Sequence, residues 1–275
     1  MKKTLSLLII TGFTLFSCEE VVDLDIDQST PQIVIEGLLS NKDTVQYVKV
    51  SRSIQFYDTG NNPITNAIVK VNSEGNEFTY SHNPDNSEEY EGYYFSDAPY
   101  SGEIGKAYTL TVDVSGVEYV ATDTMKYVTE IDSLEIVIAP NPSDDDKELG
   151  RIYQVLLYAT EPQETEDFYL FHFYRNDSLI TSSTNIYAFS DTALGDKLDG
   201  LPSPELFKEG ELAGVTIYSL SKEEYIYYTD LSNILNSDGG MFSPPPANPR
   251  NTFSNGALGL WQVSAIREAA IKIEP

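Results

Sequence analysis

The chain has 275 residues, with 43 acidic and 17 basic side chains and a net charge of −26 at pH 7. This charge argues against nucleic acid as a partner, because phosphate binding requires a basic surface, and it also repels an anionic membrane surface. Hydrophobic residues make up 41% of the chain, which is enough for real cores, and the length predicts two domains.

The first residues predict an export signal followed by a lipid anchor. Lysines at the second and third positions supply a positive start for the apolar run 5–16. This run is too short for a membrane-spanning helix, which needs about 20 residues. A small residue directly precedes Cys18, the only cysteine in the chain. We therefore predict a cleaved lipoprotein signal peptide over residues 1–17, and lasting membrane attachment through acyl chains on Cys18.

An acidic stretch follows the predicted cleavage site. Glu19 and Glu20 come directly after Cys18, and residues 18–31 are polar and acidic up to Pro31. This acidic start resembles the signal that sends lipoproteins of the Bacteroidota to the outer face of the outer membrane. The alternative is a solvated acidic tether between the lipid and the fold. The predicted location is the cell outer membrane, with the lipid-anchored protein exposed at the surface if the export signal is read.

The pattern after residue 31 is one of short strands separated by turn residues. In residues 108–114 apolar and polar side chains alternate, which places one face in a core and the other in solvent. Regularly spaced strands in about a hundred residues predict an immunoglobulin-like or transthyretin-like β-sandwich over residues 32–127. The predicted strands are 32–39, 45–51, 67–72, 77–81, 93–96, 108–114 and 118–124.

The strand-like runs within residues 128–275 predict a second, β-rich domain. Prolines, glycines and like charges predict loops at 139–148 and 194–213. The predicted fold class is thus all-β, a sandwich followed by a β-rich domain with one short helix. The predicted strands are 129–138, 152–160, 168–175, 178–182, 187–190, 215–220, 257–266 and 269–273.

One helix is predicted, at about residues 222–236. Ser221 followed by Glu224 is the pattern of a capping box, in which each residue satisfies a free backbone N–H of the other. Tyr228, Leu231 and Leu235 then recur on one face of the helix. We expect this face to meet the core.

Several stretches together resemble one family. They are the first strand Pro31-Gln-Ile-Val-Ile-Glu-Gly37, the tyrosine-rich helix at 224–228, the proline run at 243–249 and Asn255-Gly-Ala-Leu-Gly-Leu-Trp261. With the acidic leader, they resemble the Bacteroidota lipoprotein family labelled domain of unknown function 4249, over nearly all of the mature chain. The resemblance implies an amino-terminal sandwich and a place beside TonB-dependent outer-membrane transporters. It implies no catalytic or ligand residues.

The sequence offers little for catalysis or metal binding. His82 and His172 are the only histidines, and neither lies in a serine-hydrolase or zinc-hydrolase motif. The predicted lipid on Cys18 removes the only thiol from nucleophilic or metal-binding roles. The acidic runs 23–27 and 144–146 are predicted to be solvated, charged loops. The alternative is that they bind a structural calcium ion. We therefore predict a protein that is not an enzyme and has no cofactor and no metal.

Tyrosine supplies the better functional candidates, with 19 in the chain. One cluster crowds the turn at Gly92 and the other lies on the predicted helix; they are Tyr90, Tyr93, Tyr94 and Tyr100, and Tyr225, Tyr227 and Tyr228. We identify Tyr93, Tyr94, Tyr225 and Tyr227 as a candidate binding surface, because tyrosine offers contact area with few rotamers to restrict and a hydroxyl for hydrogen bonds.

These observations predict a lipid-anchored, non-enzymatic accessory protein of the cell envelope. The expected partner is a TonB-dependent outer-membrane transporter or another envelope protein. The alternative is a surface glycan-binding lipoprotein in which exposed tyrosines stack on sugar rings.

Overall fold

An eight-stranded sheet dominates the computed structural model, which describes residues 30–54, 60–160, 165–181, 186–194, 197–237 and 247–274. The strand order is β15-β1-β2-β5-β4-β3-β6-β7, so a strand from near the carboxyl end lies beside the first strand. The strands are β1 (Ile33–Ser40), β2 (Tyr47–Arg52), β3 (Ile68–Ser73), β4 (Asn76–His82), β5 (Tyr93–Ser96), β6 (Ala107–Val114), β7 (Val117–Thr124) and β15 (Leu258–Ser264).

Two smaller sheets complete the described structure. One has the order β11-β10-β14-β16 with β12 also paired to β10, and the other has the order β13-β9-β8. The strands are β8 (Ile131–Ile138), β9 (Tyr153–Thr160), β10 (Phe168–Arg175), β11 (Ser178–Leu179), β12 (Ala188–Ser190), β13 (Lys197–Pro202), β14 (Leu212–Leu220) and β16 (Ile266–Lys272). The helices are α1 (Asp144–Glu148), α2 (Asp191–Leu194) and α3 (Lys222–Leu235).

The large sheet is a nearly closed, barrel-like sheet. Its edge strands β15 and β7 approach each other, and Lys126, just after β7, forms a parallel bridge with Ser264. A 3-10 turn at Ser254–Gly256 also joins β7, because Ser254 Oγ accepts from the Val120 N–H at 2.8 Å. The mostly-β prediction is confirmed. The immunoglobulin-like or transthyretin-like sandwich within it stays a prediction.

Alternation along the strands builds the core of this sheet. In β6 every second residue is buried, as the sequence pattern predicted. Trp261 of β15 is 1% exposed and its indole N–H donates to the Tyr108 carbonyl at 3.0 Å. Gly37 of β1 lies opposite Trp261 in register, and a Cβ on Gly37 would be 2.7 Å from the indole ring. The absence of a side chain at Gly37 is what makes room for the tryptophan.

The last strands correct the predicted division at residue 127. Residues Leu258–Ser264 were assigned to a second domain, but as β15 they pair in parallel with β1 of the first sheet. Residues Pro31–Pro275 form one compact unit. The physical reason is that the backbone N–H and C=O groups on the free edge of β1 need hydrogen-bond partners, which β15 supplies. β15 is also almost continuously buried, as expected for a strand covered on both faces.

The predicted loop at 194–213 is also wrong in part. It contains β13, which pairs antiparallel with β9 through a β-bulge between Asp199 and Leu201. Gly200 sits at this bulge with a φ of +79°, a conformation that favours glycine. The glycine that suggested a loop therefore marks a bulge inside a strand.

The acidic segment 139–148, predicted as a loop, contains the short helix α1. Ser143 caps it by accepting from the Asp146 N–H at 3.0 Å, and Asp144 pairs with Lys147 at 3.0 Å. The negative charges of three aspartates in its first turn interact favourably with the positive end of the helix dipole and so stabilise the helix. This role explains the acidic run without a metal.

Helix α3 and its capping box are confirmed, and its predicted face is confirmed in part, because Tyr228 packs against the apolar cluster of Phe168 and Leu220 while Leu235 at the far end does not face the core. Ser221 Oγ accepts from the Glu224 N–H, and Glu224 accepts in return from the Ser221 N–H. Leu235 is 44% exposed, whereas Glu224 is completely buried. The helix therefore inserts a carboxyl group, and not a leucine at its far end, into the protein.

Candidate functional site

Four aromatic side chains, two of them exposed and two half-buried, form a cluster on the outer face of the large sheet. We call Tyr47, Tyr90, Tyr93 and Phe95 the aromatic surface. Ring centroids lie 5.9 Å apart for Tyr47 and Tyr93, 5.6 Å for Tyr90 and Tyr93, and 5.5 Å for Tyr90 and Phe95. Tyr90 is 41% and Tyr47 37% exposed. Such a cluster on a rigid sheet is a natural contact area for a partner.

Strand alternation and pairing create the aromatic surface. In β5 Tyr93 and Phe95 face outward while Tyr94 and Ser96 face the core. Antiparallel pairing of β2 with β5 then puts Tyr47 opposite Phe95. Because cross-strand neighbours on one face lie within contact distance, the three rings meet.

A structured loop carries Tyr90 to the same place. The residue ends a 3-10 turn, Glu88–Tyr90, that Ser87 caps. The buried Asn83 side chain holds this turn, accepting from the Ser87 N–H at 3.0 Å and donating to the Ser87 carbonyl at 2.7 Å. Tyr90 is thus positioned by hydrogen bonds within its own loop.

Beside the rings lies a cleft of about 810 Å³. Its walls include the aromatic surface, Val45, Asp85 and Asp97, and no Lys or Arg lines it in the described part of the chain. Asp97 accepts from Thr79 Oγ1 at 2.5 Å and from Ser81 Oγ at 2.7 Å. These hydrogen bonds hold the pKa of the Asp97 carboxyl below its ordinary value, so that it stays charged.

More acidic side chains surround the aromatic surface. Glu88, Glu89 and Glu91 flank Tyr90 in its loop, and all three are exposed. The three glutamates and Tyr93 line a pocket together with the cations Lys49 and Arg52. The Lys49 ammonium lies 5.5 Å from the centre of the Tyr93 ring. The same ammonium pairs with Glu36 at 3.5 Å.

Of the two tyrosines predicted beside Gly92, only Tyr93 belongs to the aromatic surface. Tyr94 is 1% exposed, and its hydroxyl donates to the Ile64 carbonyl and accepts from the Ala67 N–H, both at 2.8 Å. Its assignment to a binding surface is therefore wrong. A period of two in Tyr93–Ser96 already separates Tyr93 and Phe95 from Tyr94, and this signal could have found Phe95.

The two tyrosines of the predicted binding surface that lie on the helix each pack against another aromatic ring. Tyr225 stacks on Phe168, with centroids 4.7 Å apart and planes 23° apart, in a small apolar cluster. Tyr227 is half-buried and meets Tyr228 edge to face at 5.8 Å. Burial and the nearby Glu36 carboxylate raise the pKa of the Tyr227 hydroxyl. Neither side chain is part of the aromatic surface as defined here.

Both histidines have structural partners. His82, predicted in a loop, ends β4 and its Nε2 accepts from the Gly92 N–H at 3.2 Å. His172 in β10 lies edge to face with Tyr218 at 4.9 Å, and burial lowers its pKa. The two belong to different sheets.

Two carboxyl groups meet in the interior at the start of α3. Glu224 accepts from the backbone N–H of Val263 in β15 and from that of Ser221, each at 2.7 Å. Asp123 of β7 accepts from Ser221 Oγ at 2.7 Å. Burial first, and then the Asp123 charge, raise the pKa of Glu224 well above its ordinary value of 4.5. Burial likewise raises the pKa of Asp123. The pair joins α3 to both edge strands of the large sheet.

The pair should make stability depend on pH. Because the folded Glu224 carboxyl has the higher pKa, the folded protein binds more protons than the unfolded chain above pH 4.5. The contribution of the Glu224 carboxyl to the free energy of unfolding is therefore present below pH 4.5 and is lost as the pH rises through the higher pKa of the folded state. Asp123→Asn removes the neighbouring charge, so urea unfolding from pH 4.5 to 7 should show a smaller decline than in the wild type. Parallel curves for the two proteins would contradict this assignment.

The described residues include neither a cluster of metal ligands nor a membrane-spanning helix. Among them, no group of three or more His, Cys, Asp or Glu side chains could hold a metal ion. None of their helices is long and apolar enough to cross a membrane. The acidic run 23–27 and the predicted anchor residues Cys18, Glu19 and Glu20 lie outside the described part of the chain.

The comparisons with known proteins give one family. The model for "Domain of unknown function (DUF4249)" matches residues 19–268. The chain belongs to this family. The DUF4249 match includes the aromatic surface, the carboxyl pair and β15, but the family is one of unknown function and supplies no activity. A search of the curated proteins finds no match.

Proposed function

We propose that this DUF4249 protein is a lipid-anchored, non-enzymatic accessory protein of the bacterial cell envelope that docks on a protein partner. The partner we propose is a TonB-dependent outer-membrane transporter or another envelope protein. The observation that carries the proposal is the aromatic surface, a group of four rings on the outer face of a nearly closed sheet, two of them exposed and two half-buried.

The physical argument for docking rests on how the rings are held. Tyrosines presented on strands and on a braced loop lose little conformational freedom when a partner covers them. Aromatic residues are also the side chains most often found at the energetic centre of protein interfaces. A fixed aromatic cluster with a charged rim has the composition of such a centre.

The proposed location rests on the sequence. The apolar run, the single cysteine after a small residue and the acidic residues that follow are the pattern of a Bacteroidota outer-membrane lipoprotein. The family match starts at residue 19, directly after the proposed lipidation site at Cys18. Acyl chains on Cys18 would keep the aromatic surface close to proteins of the same membrane.

The proposal of a non-enzymatic role rests on the positions of the candidate catalytic groups. The two histidines are used in packing and belong to different sheets. The buried carboxyl pair satisfies backbone N–H groups and caps a helix. Each of these groups has a structural task that explains its environment.

Gentle detergent extraction of the tagged full chain, followed by mass spectrometry of what co-purifies, tests this proposal. Wild type should recover an envelope protein, and Tyr90→Ser with Phe95→Ser should reduce that recovery by about tenfold or more. Tyr90 is exposed and Phe95 is half-buried on the outer face, so the melting temperature should fall only slightly, and circular dichroism should show the same fold. Cys18→Ala should release the protein from the membrane fraction, since it removes the proposed site of acylation.

A matched pair of surface variants controls for lost hydrophobicity. Val117 and Leu149 are 45% and 56% exposed and lie outside the aromatic surface. Val117→Ser with Leu149→Ser should leave the recovery unchanged. Equal recovery with the aromatic variant and wild type, or no envelope protein in either, would refute docking through these rings.

A second function, binding of a surface glycan, is favoured by one observation. Asp97 and Ser81 line the cleft beside the rings, and carboxylate and hydroxyl groups next to aromatic faces can hydrogen-bond sugar hydroxyls while the rings stack. A glycan array with the wild-type protein and the Tyr90→Ser, Phe95→Ser variant tests it. Defined binding that the variant loses would support the glycan function.

A further inference from the structure

We infer that the partner bound at the aromatic surface presents arginine or lysine side chains from a protein segment. This inference rests on the proposed docking function and adds the chemistry of the partner. It depends on the combination of ring faces with a cleft whose charged residues, among those described, are all acidic.

The charge of the site is the first argument. Asp85 and Asp97 line the cleft. The exposed Glu88, Glu89 and Glu91 adjoin Tyr90 in sequence and line a neighbouring pocket in which they outnumber the cations Lys49 and Arg52. With a net charge of −26, the whole chain adds a long-range field of the same sign. Complementary charge around an interface speeds encounter and selects against acidic partners. A basic segment is the partner that this field attracts.

The second argument is that a cation already lies on these rings. The Lys49 ammonium sits 5.5 Å from the centre of Tyr93 and is neutralised by Glu36 at 3.5 Å. The protein thus combines a ring, a cation and a carboxylate within its own sheet. In the cleft, Tyr90 and Phe95 with Asp85 and Asp97 repeat the ring and carboxylate parts of this arrangement, and the described residues that line it include no Lys or Arg. Arginine suits it best, because its planar guanidinium stacks on aromatic rings and pairs with carboxylates.

The same observations weigh against a neutral glycan as the main ligand. Neutral sugars gain nothing from a rim of carboxylates beyond individual hydrogen bonds, and the Asp97 oxygens already accept from two hydroxyl groups. The exposed glutamates beside Tyr90 would have no role in stacking a sugar ring. A basic segment uses both the rings and the charges.

Direct titration of the full chain in detergent micelles tests the inference. The probes are a short glycine–arginine repeat peptide, the same peptide with citrulline, the neutral counterpart of arginine, and a neutral maltooligosaccharide. We expect the arginine peptide to bind about tenfold or more tighter than the citrulline peptide. Tyr90→Ala and, separately, Glu88→Gln with Glu89→Gln should each weaken it by about fivefold or more.

A variant with the same charge change elsewhere separates a site from general attraction. Asp144→Asn with Asp145→Asn neutralises two exposed acids of α1 and should change binding by less than about twofold. Equal weakening by this variant and by the Glu88, Glu89 variant would overturn the inference. So would equal affinity for the arginine and citrulline peptides, or binding of the oligosaccharide alone.

The two proposals can fail separately. If membrane capture depends on Tyr90 and Phe95 while the arginine peptide binds no better than citrulline, the docking function stands and the basic partner is wrong. If the arginine peptide binds in a Tyr90-dependent way but no envelope protein is captured, the ligand chemistry stands and the docking function is wrong.

Discussion

Replacing Glu224 with Ala should lower the free energy of unfolding by about 3 kcal/mol or more. The side chain is completely buried, and its two oxygens accept from the backbone N–H groups of Ser221 and Val263. Without it, both N–H groups stay in the interior with no acceptor, and each costs about 1–3 kcal/mol. The loss also detaches the start of α3 from β15. Urea unfolding followed by circular dichroism measures the difference.

A neighbouring glutamate supplies the control for this prediction. Glu223 lies in the same first turn of α3 but is exposed, so Glu223→Ala should change stability by less than about 0.5 kcal/mol. Similar losses for the two variants would show that the helix propensity or the charge, and not the buried hydrogen bonds, carries the effect.

The contact of Gly37 with Trp261 should give the second large effect. A Cβ on Gly37 would lie 2.7 and 2.9 Å from two carbons of the indole six-membered ring, so Gly37→Ala should cost about 2–3 kcal/mol through overpacking. Trp261→Phe leaves space there and removes the hydrogen bond to the Tyr108 carbonyl, which should cost about 2–4 kcal/mol. In the double variant the new methyl group occupies part of the space left by the indole. Its cost should therefore be smaller than the sum by about 1 kcal/mol, measured as a double-mutant cycle.

Gly214 offers a matched control within a strand. An added Cβ there would meet its nearest atom, in Tyr174, at 3.4 Å, and its backbone needs no positive φ. Gly214→Ala should therefore be close to neutral, because fewer unfolded conformations offset the small contact. A loss at Gly214 as large as that at Gly37, or an additive double variant, would remove the steric explanation.

Local patterns in the sequence predicted much of the secondary structure. Alternation over 108–114 places β6 correctly, and Ser221 with Glu224 marks the start of α3. Both signals depend only on residues near each other in the chain. The predicted loop over 194–213 was wrong in part, because a glycine such as Gly200 is found in β-bulges as well as in loops, and the sequence alone does not distinguish the two.

The binding surface was less accessible to sequence reasoning. Tyr93 was identified, and the alternation of β5 could have replaced Tyr94 with Phe95. Tyr47 joins them only because β2 pairs with β5, and Tyr90 only because Asn83 braces its loop. Composition showed the tyrosines, but strand pairing decided which of them share a face.

The sequence by itself determined the mostly-β character, the helix start at Ser221, the acidic charge and the family, because each depends on composition or on short-range spacing. Only the tertiary structure decided that β15 returns to β1, that Trp261 fills the space left by Gly37, and that Glu224 of α3 is buried against β15. The physical reason is that these contacts join residues more than two hundred positions apart in the chain or depend on which strand edges meet. Local preferences carry no information about such pairings, since the free energy that selects them comes from burial in the assembled core.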